Sequence, residues 1–172
     1  RRLAPLLPAQ PLRGHVGQHV VGPRDQPGLL HWSEQPLAIA QTFNGEGQAV
    51  EDIFSGSVVV DTENTSGLGT TDNPPLVAHY TSAYTGAHPT LAGIQAQSVA
   101  YSLDGGYTWE KYAGNPVLDR GSQNFRDPKV SRYTSPETGE SYWVMVAVEA
   151  LDHQVVLYRS DDLLEWTYLS TF

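Results

Sequence analysis

At 172 residues, 40% hydrophobic and 17% charged, the chain has the make-up of one globular domain with enough apolar side chains for a core. Ten Lys and Arg against nineteen Asp and Glu leave a formal charge of -9, which repels a phosphate backbone or an anionic membrane and argues against nucleic-acid and membrane partners. The absence of Cys removes disulfides, thiolate catalysis, zinc ribbons and iron–sulfur clusters, no apolar run approaches the roughly 18 residues of a membrane span, and the start lacks a signal-peptide pattern.

Residues 1–28 differ from everything after them. They hold five Pro, four Gly, four Arg and one acidic residue, whereas all seventeen aromatic residues lie beyond position 31. Their net charge is +3, against -12 for residues 29–172. On composition alone, residues 1–28 read as a disordered Pro/Arg-rich leader.

From Ile53 onward, short β-branched or aromatic runs alternate with turn clusters, and no stretch sustains a 3.6-residue period. The fold class is all-β. Strands are expected at Phe54–Val60, Leu76–Ser82, Ser98–Ser102, Lys129–Tyr133, Tyr142–Val148, Val155–Ser160 and Trp166–Ser170. Turn chemistry separates them at Glu63-Asn-Thr-Ser-Gly-Leu-Gly, Asp72-Asn-Pro-Pro, Asp104-Gly-Gly and Ser135-Pro-Glu-Thr-Gly, so the expected units are short antiparallel hairpins. Ser102-Leu-Asp-Gly-Gly-Tyr-Thr-Trp109 is echoed by Ser160-Asp-Asp-Leu-Leu-Glu-Trp166, and the end of the latter by Leu29-Leu-His-Trp32. Repeated strand–turn–Trp units suit a radial β-propeller, with a β-sandwich as the alternative.

Ser122-Gln-Asn-Phe-Arg-Asp-Pro-Lys129 is the stretch richest in chemistry. Pro128 biases Asp127 toward an extended backbone, and an adjacent Arg126 and Asp127 offer a donor and an acceptor to vicinal sugar hydroxyls, or else form a surface ion pair. In Phe54-Ser-Gly-Ser57, Gly56 permits close approach of a ligand or a backbone, while Phe54 and Ser55 present a flat face and a hydroxyl. Glu51-Asp52, Glu149 with Asp152, and Asp161-Asp162 are read as solvent-facing and receive no catalytic role. His79, His88 and His153 lack metal-site spacing, and no glycine-rich phosphate loop precedes a helix, so no metal or organic cofactor is expected. Asn64-Thr65-Ser66 is an N-glycosylation sequon, informative in a secreted eukaryotic protein.

In order, His31-Trp32, Phe54-Ser-Gly-Ser57, Tyr80-Thr-Ser82, Gln97-Ser-Val-Ala-Tyr-Ser-Leu-Asp-Gly-Gly-Tyr-Thr-Trp109, Asn115-Pro-Val-Leu118 and Asn124-Phe-Arg-Asp-Pro128 resemble glycoside hydrolase family 32, the β-fructofuranosidases that include invertases, inulinases and levanases. The resemblance runs from Leu29 to Phe172. It implies a five-bladed β-propeller whose funnel holds one fructosyl unit, with this chain covering about its first half, and a secreted parent protein acting on sucrose, inulin or levan. By the same resemblance, Asp127 would be the transition-state stabiliser, and Arg126, Phe54 and Ser55 would bind fructose. The family's nucleophile sits in an Asn-Asp-Pro motif and its acid/base in a Glu-Cys motif, and neither motif occurs here. Retaining hydrolysis needs both carboxyl groups, so the 172-residue chain is expected to be inactive. Two other readings stay open: a non-catalytic sugar-binding propeller, and an enzyme of a related five-bladed family acting on arabinose or xylose polymers, which Phe54-Ser-Gly-Ser57 and the Gln97–Trp109 stretch oppose.

The resemblance also bears on residues 1–28. In the family, the segment ahead of Leu-His-Trp reads like Trp-His-Leu-Tyr-Tyr-Gln-Tyr-Asn-Pro, then Trp-Gly-His-Ala. Shifting the reading frame by one base from Leu3, with synonymous codons chosen to suit, turns Leu3–Leu12 into Trp-His-Leu-Tyr-Tyr-Gln-His-Asn-Pro and continues through Trp-Gly-His-Ala to Gly28. One added base then restores Leu29-Leu-His-Trp32. Residues 1–28 are therefore expected to be an out-of-frame, non-native translation ahead of a partial propeller at 29–172. Nucleotide sequencing of the source locus against an independent transcript should show the Trp-Gly-His-Ala codons in the shifted frame. A clean frame through residues 1–28 would establish the leader as genuine.

Overall fold

A computed structural model describes residues 35–172 in full. It also gives the backbone of four two-residue strands ahead of them, β1 (Leu7–Pro8), β2 (Val21–Gly22), β3 (Arg24–Asp25) and β4 (Ser33–Glu34), where β1 pairs with β2 and β3 with β4. The other residues of 1–28 and the Leu29–Trp32 copy of the echo lie outside the described residues, and the expectation of a frame-shifted or disordered leader lies there with them.

Every regular element among the described residues is a strand. The strands β5 (Thr42–Phe43), β6 (Ala49–Val60), β7 (Leu76–Tyr84), β8 (Gln95–Ser102) and β9 (Glu110–Lys111) form one antiparallel meander. A second contains β10 (Phe125–Thr134), β11 (Ser141–Glu149), β12 (Gln154–Ser160) and β13 (Thr167–Thr171). All seven expected strands are present. The largest displacement is at β6, which starts at Ala49 because Glu51 is neutralised within the sheet: its carboxylate accepts hydrogen bonds from Thr42 Oγ1 (2.8 Å) and Ser82 Oγ (2.5 Å) and pairs with Lys111 Nζ (2.5 Å). Glu149 is likewise buried, bonded to Arg120 Nε at 3.0 Å and Ser122 Oγ at 2.7 Å. Both corrections have one cause: a strand-end Glu can be buried when a cation and a hydroxyl both serve its carboxyl group.

The sheets are consecutive blades of a propeller, with β10 packed across β6, β7 and β8. Between them lies the main core, built from Val77 and Val99 of the first blade against Phe125, Val130, Trp143, Met145, Ala147, Val156 and Tyr158 of the second. Ile39, Ile53, Ala78, Tyr80 and Ala100 form a second cluster on the far face of the first blade. Covering on both faces explains why β7 is buried at six consecutive positions, Val77–Ser82, whereas β11 alternates.

The echoed turns use the same devices, the second in a loop one residue shorter. Ser102 Oγ accepts the Gly106 N–H at 2.9 Å, and Asp104 gathers the N–H groups of Tyr107 and Thr108. Ser160 Oγ accepts the Leu163 N–H at 2.8 Å, and Asp162 gathers those of Leu164 and Glu165. The hydroxyl and N–H of Thr108 hold the Asp104 carboxyl down at about 2. Gly106 and Leu163 each stand three residues before the Trp and take positive φ, 97° and 69°. They differ in who serves their carbonyl: Trp109 Nε1 donates to Gly106 O at 2.9 Å, whereas His79 Nε2 donates to Leu163 O at 2.9 Å from the other blade. Trp166 instead meets the His79 ring edge-on, with centroids 5.4 Å apart.

His79 thus bolts the blades together as a neutral imidazole, because burial lowers its pKa to about 4 despite the Leu163 carbonyl. The unfolded chain takes up this proton near pH 6.5, so His79 stabilises fully above about 6.5 and the contribution drains away as pH falls toward 4, on the order of 3 kcal/mol. Urea midpoints at pH 7 and pH 4.5 should therefore fall further for the wild-type chain than for His79→Gln; equal falls would acquit the imidazole.

Candidate active site

Both inner strands break register where the sequence singled out binding residues. On β6 the pairing steps from Ile53↔Ser82 to Gly56↔Tyr80, so Phe54 and Ser55 together oppose Thr81. On β10 it steps from Arg126↔Val148 to Lys129↔Val146, so Asp127 and Pro128 together oppose Ala147. Each is a two-against-one β-bulge, the device that re-aims side chains at the end of a sheet. Pro128 suits such a position because it has no N–H to give the ladder.

Asp127 does not take the extended backbone expected before proline. Its φ is +59°, in the left-handed region that Asp tolerates better than most residues. The bulge is the physical reason: accommodating one extra residue reverses the local backbone, and the carboxylate ends up exposed at the surface of the strand. Nor do Arg126 and Asp127 form the surface ion pair considered from sequence. Arg126 is half-buried and its Nη1 donates to the amide oxygens of Gln95 (3.1 Å) and Asn124 (3.4 Å). Neutral oxygens orient the guanidinium without cancelling its charge, which stays available to a ligand.

Thr81 brings the two bulges together. It faces Phe54 and Ser55 across the β6–β7 ladder, and its Oγ1 accepts the Asp127 N–H at 3.1 Å. Ser57 fastens the same region further along, donating to Pro128 O at 3.0 Å and accepting from Val130 N–H at 2.9 Å. Phe54 is half-buried and Ser55 exposed beside it, so the two bulges and Arg126 offer an aromatic face, a hydroxyl, a carboxylate and a guanidinium. Such a set has the chemistry to hold a polyol: charged donor and acceptor for hydroxyl pairs, ring for a C–H face.

Sequence reasoning quoted Ser57, Thr81 and Gln97 only inside motifs and missed what they do. Their signal was present, since small polar residues and a Gln inside apolar strands must find partners when buried. Among the described residues no group of three His, Asp or Glu stands close enough to hold a metal ion. Asn115-Pro116 is a cis peptide, and the Asn115 amide mimics a strand by bonding both the N–H and the C=O of Val99 at 2.8 Å.

Residues 22–172 match the family model of the glycosyl hydrolases family 32 N-terminal domain. The chain belongs to that family. It is 44% identical to a levanase of Bacillus subtilis over 145 residues, 84% of this chain and 19% of the relative. To an extracellular exo-inulinase of Aspergillus niger it is 42% identical over 158 residues, 84% of this chain and 28% of the relative. Among solved structures, the fructofuranosidase of Schwanniomyces occidentalis complexed with fructose superposes with a TM-score of 0.77 at 34% identity, covering 97% of this chain and 30% of that one. The chain thus spans less than a third of the length of each.

Gly56 is the glycine the site depends on. A Cβ there would collide with the His79 carbonyl oxygen and crowd the Tyr80 Cα, whereas one at Gly45 would meet nothing within 4 Å. Gly56→Ala is expected to cost roughly 1–3 kcal/mol in chemical denaturation, with Gly45→Ala close to neutral as the control.

Proposed function

We propose that the protein containing this chain cleaves β-D-fructofuranosidic bonds in sucrose or fructans, and that these two blades supply one side of its fructosyl subsite. The observation carrying the reading is the pair of bulges that Thr81 links, one in the middle of β6 at Phe54 and Ser55 and one near the start of β10 at Asp127, with Arg126 beside it. The names of the levanase and exo-inulinase relatives, and the fructose held by the solved neighbour, support the substrate class. The extracellular relative supports a secreted parent.

In this reading Asp127 and Arg126 hold hydroxyls of the fructosyl ring, and Asp127 stabilises the positive charge that spreads over the ring as the glycosidic bond opens. An exposed carboxylate offers more to a charged oxocarbenium-like state than to a neutral sugar, which is what selective stabilisation of the transition state requires. Phe54 closes the apolar face and Ser55 adds a hydroxyl. Nucleophilic attack and leaving-group protonation need two further carboxyl groups. The 172 residues hold no Asn-Asp-Pro and no Cys, and we assign no other residue to either role.

The purified chain is therefore expected to bind fructose weakly and to release none from sucrose, inulin or levan. Saturation-transfer NMR should show binding that Asp127→Asn weakens by roughly tenfold or more, the loss of a charge-assisted hydrogen bond. Fructose release by the chain would overturn its inactivity, and unchanged binding by Asp127→Asn would overturn the site.

A further inference from the structure

Asp127 sits in a conformation that the β10–β11 ladder does not enforce. Its left-handed φ of 59° falls inside the register break, where neither Asp127 nor Pro128 has a ladder partner on β11. The restraint comes from the neighbouring blade. Gln97 is fully buried on β8, and its Nε2 donates to Phe125 O at 2.9 Å, which commits its Oε1 to accepting. The donor to that oxygen is the Thr81 hydroxyl, at 2.9 Å. Thr81 is itself fully buried and has one hydroxyl proton, so once that proton points at Gln97 only lone pairs remain to meet the Asp127 N–H at 3.1 Å. The relay has a single direction and closes on β10 at both ends, two residues apart.

Resting on the fructosyl-site reading above, we infer that Thr81 is a positioning residue for Asp127: its hydroxyl, oriented by Gln97, sets the backbone of the bulge and so fixes where the carboxylate meets the sugar. The position of Thr81 opposite Phe54 and Ser55 gives the relay a second use, since one buried side chain then references the β10 bulge to the β6 bulge. Ser57 secures Pro128 and Val130 but makes no bond to Asp127, so it bounds the bulge on one side without setting the carboxylate.

The test uses the full chain and two substitutions that differ by one oxygen. Thr81→Val keeps the shape and deletes the acceptor; Thr81→Ser keeps the acceptor. Amide hydrogen exchange read by NMR is expected to show the Asp127 N–H losing at least tenfold protection in Thr81→Val and keeping it in Thr81→Ser, while Val144–Val148 amides hold theirs. Fructose binding should weaken about tenfold in Thr81→Val and stay within about twofold in Thr81→Ser. Unchanged Asp127 protection in Thr81→Val, equal loss in Thr81→Ser, or uniform loss along β11 would overturn the inference. Binding that Asp127→Asn abolishes and Thr81→Val spares would sink the positioning role alone. A wild-type chain that binds no fructose, or an Asp127→Asn chain that binds it unchanged, would remove the site reading and the positioning role with it.

Discussion

Side-chain hydrogen bonds from one blade to the backbone of the next hold the part of the molecule on which its chemistry depends. Strands within a blade are joined by ladders, but β6 and β10 belong to different sheets and share none. Gln97 to Phe125 O, Asp127 N–H to Thr81, and the two bonds of Ser57 take the place of a ladder over six residues of β10. They leave few ways for the second blade to slide, because each buried polar group would lose its partner at a cost of about 1–3 kcal/mol. Apolar contact between Val77, Val99, Phe125 and Val130 supplies attraction between the blades without that directionality.

The same division of labour appears at the far end of β12. Ser160 and Asp162 shape a turn that would serve in any blade, and Leu163 carries a left-handed φ of 69° where its counterpart Gly106 pays no steric penalty. Leu163 is fully buried, so its side chain offsets a backbone cost of about 1 kcal/mol with a larger burial gain. Its carbonyl then accepts from His79. Here the turn is one residue shorter between Asp and Trp than in its counterpart, and a carbonyl that Trp109 serves locally in the first blade becomes an inter-blade acceptor in the second.

Much of this was legible in the sequence, and the exceptions share a cause. Strands β7, β11 and β12 announce themselves by β-branched runs, and Asp104-Gly-Gly announces its turn, because those signals are local. The early start of β6 was hidden because Glu51 looks like a strand-ending charge until Lys111, sixty residues away, is placed beside it. The left-handed Asp127 was hidden for the same reason: local rules for a residue before proline favour an extended backbone, and the bulge that sets them aside depends on pairing with β11 and on Thr81 from another strand. Motif order led to Phe54, Ser55, Arg126 and Asp127, yet their supports were passed over because Thr81 and Gln97 look like ordinary strand residues.

Bulges set the exposure of side chains on β6 and β10. In regular strands, alternation turns successive side chains to opposite faces. Inserting one residue places Phe54 and Ser55 together opposite Thr81 and Asp127 and Pro128 together opposite Ala147, which leaves Ser55 and Asp127 exposed and Pro128 buried. The insertion also frees the local N–H groups from the ladder, so something else must hold them, and at Asp127 that is Thr81. Exposed side chains at the bulges and dependence on buried polar side chains behind them are therefore two consequences of one irregularity. Ladder bonds given up at the β10 bulge are rebuilt across the blade boundary.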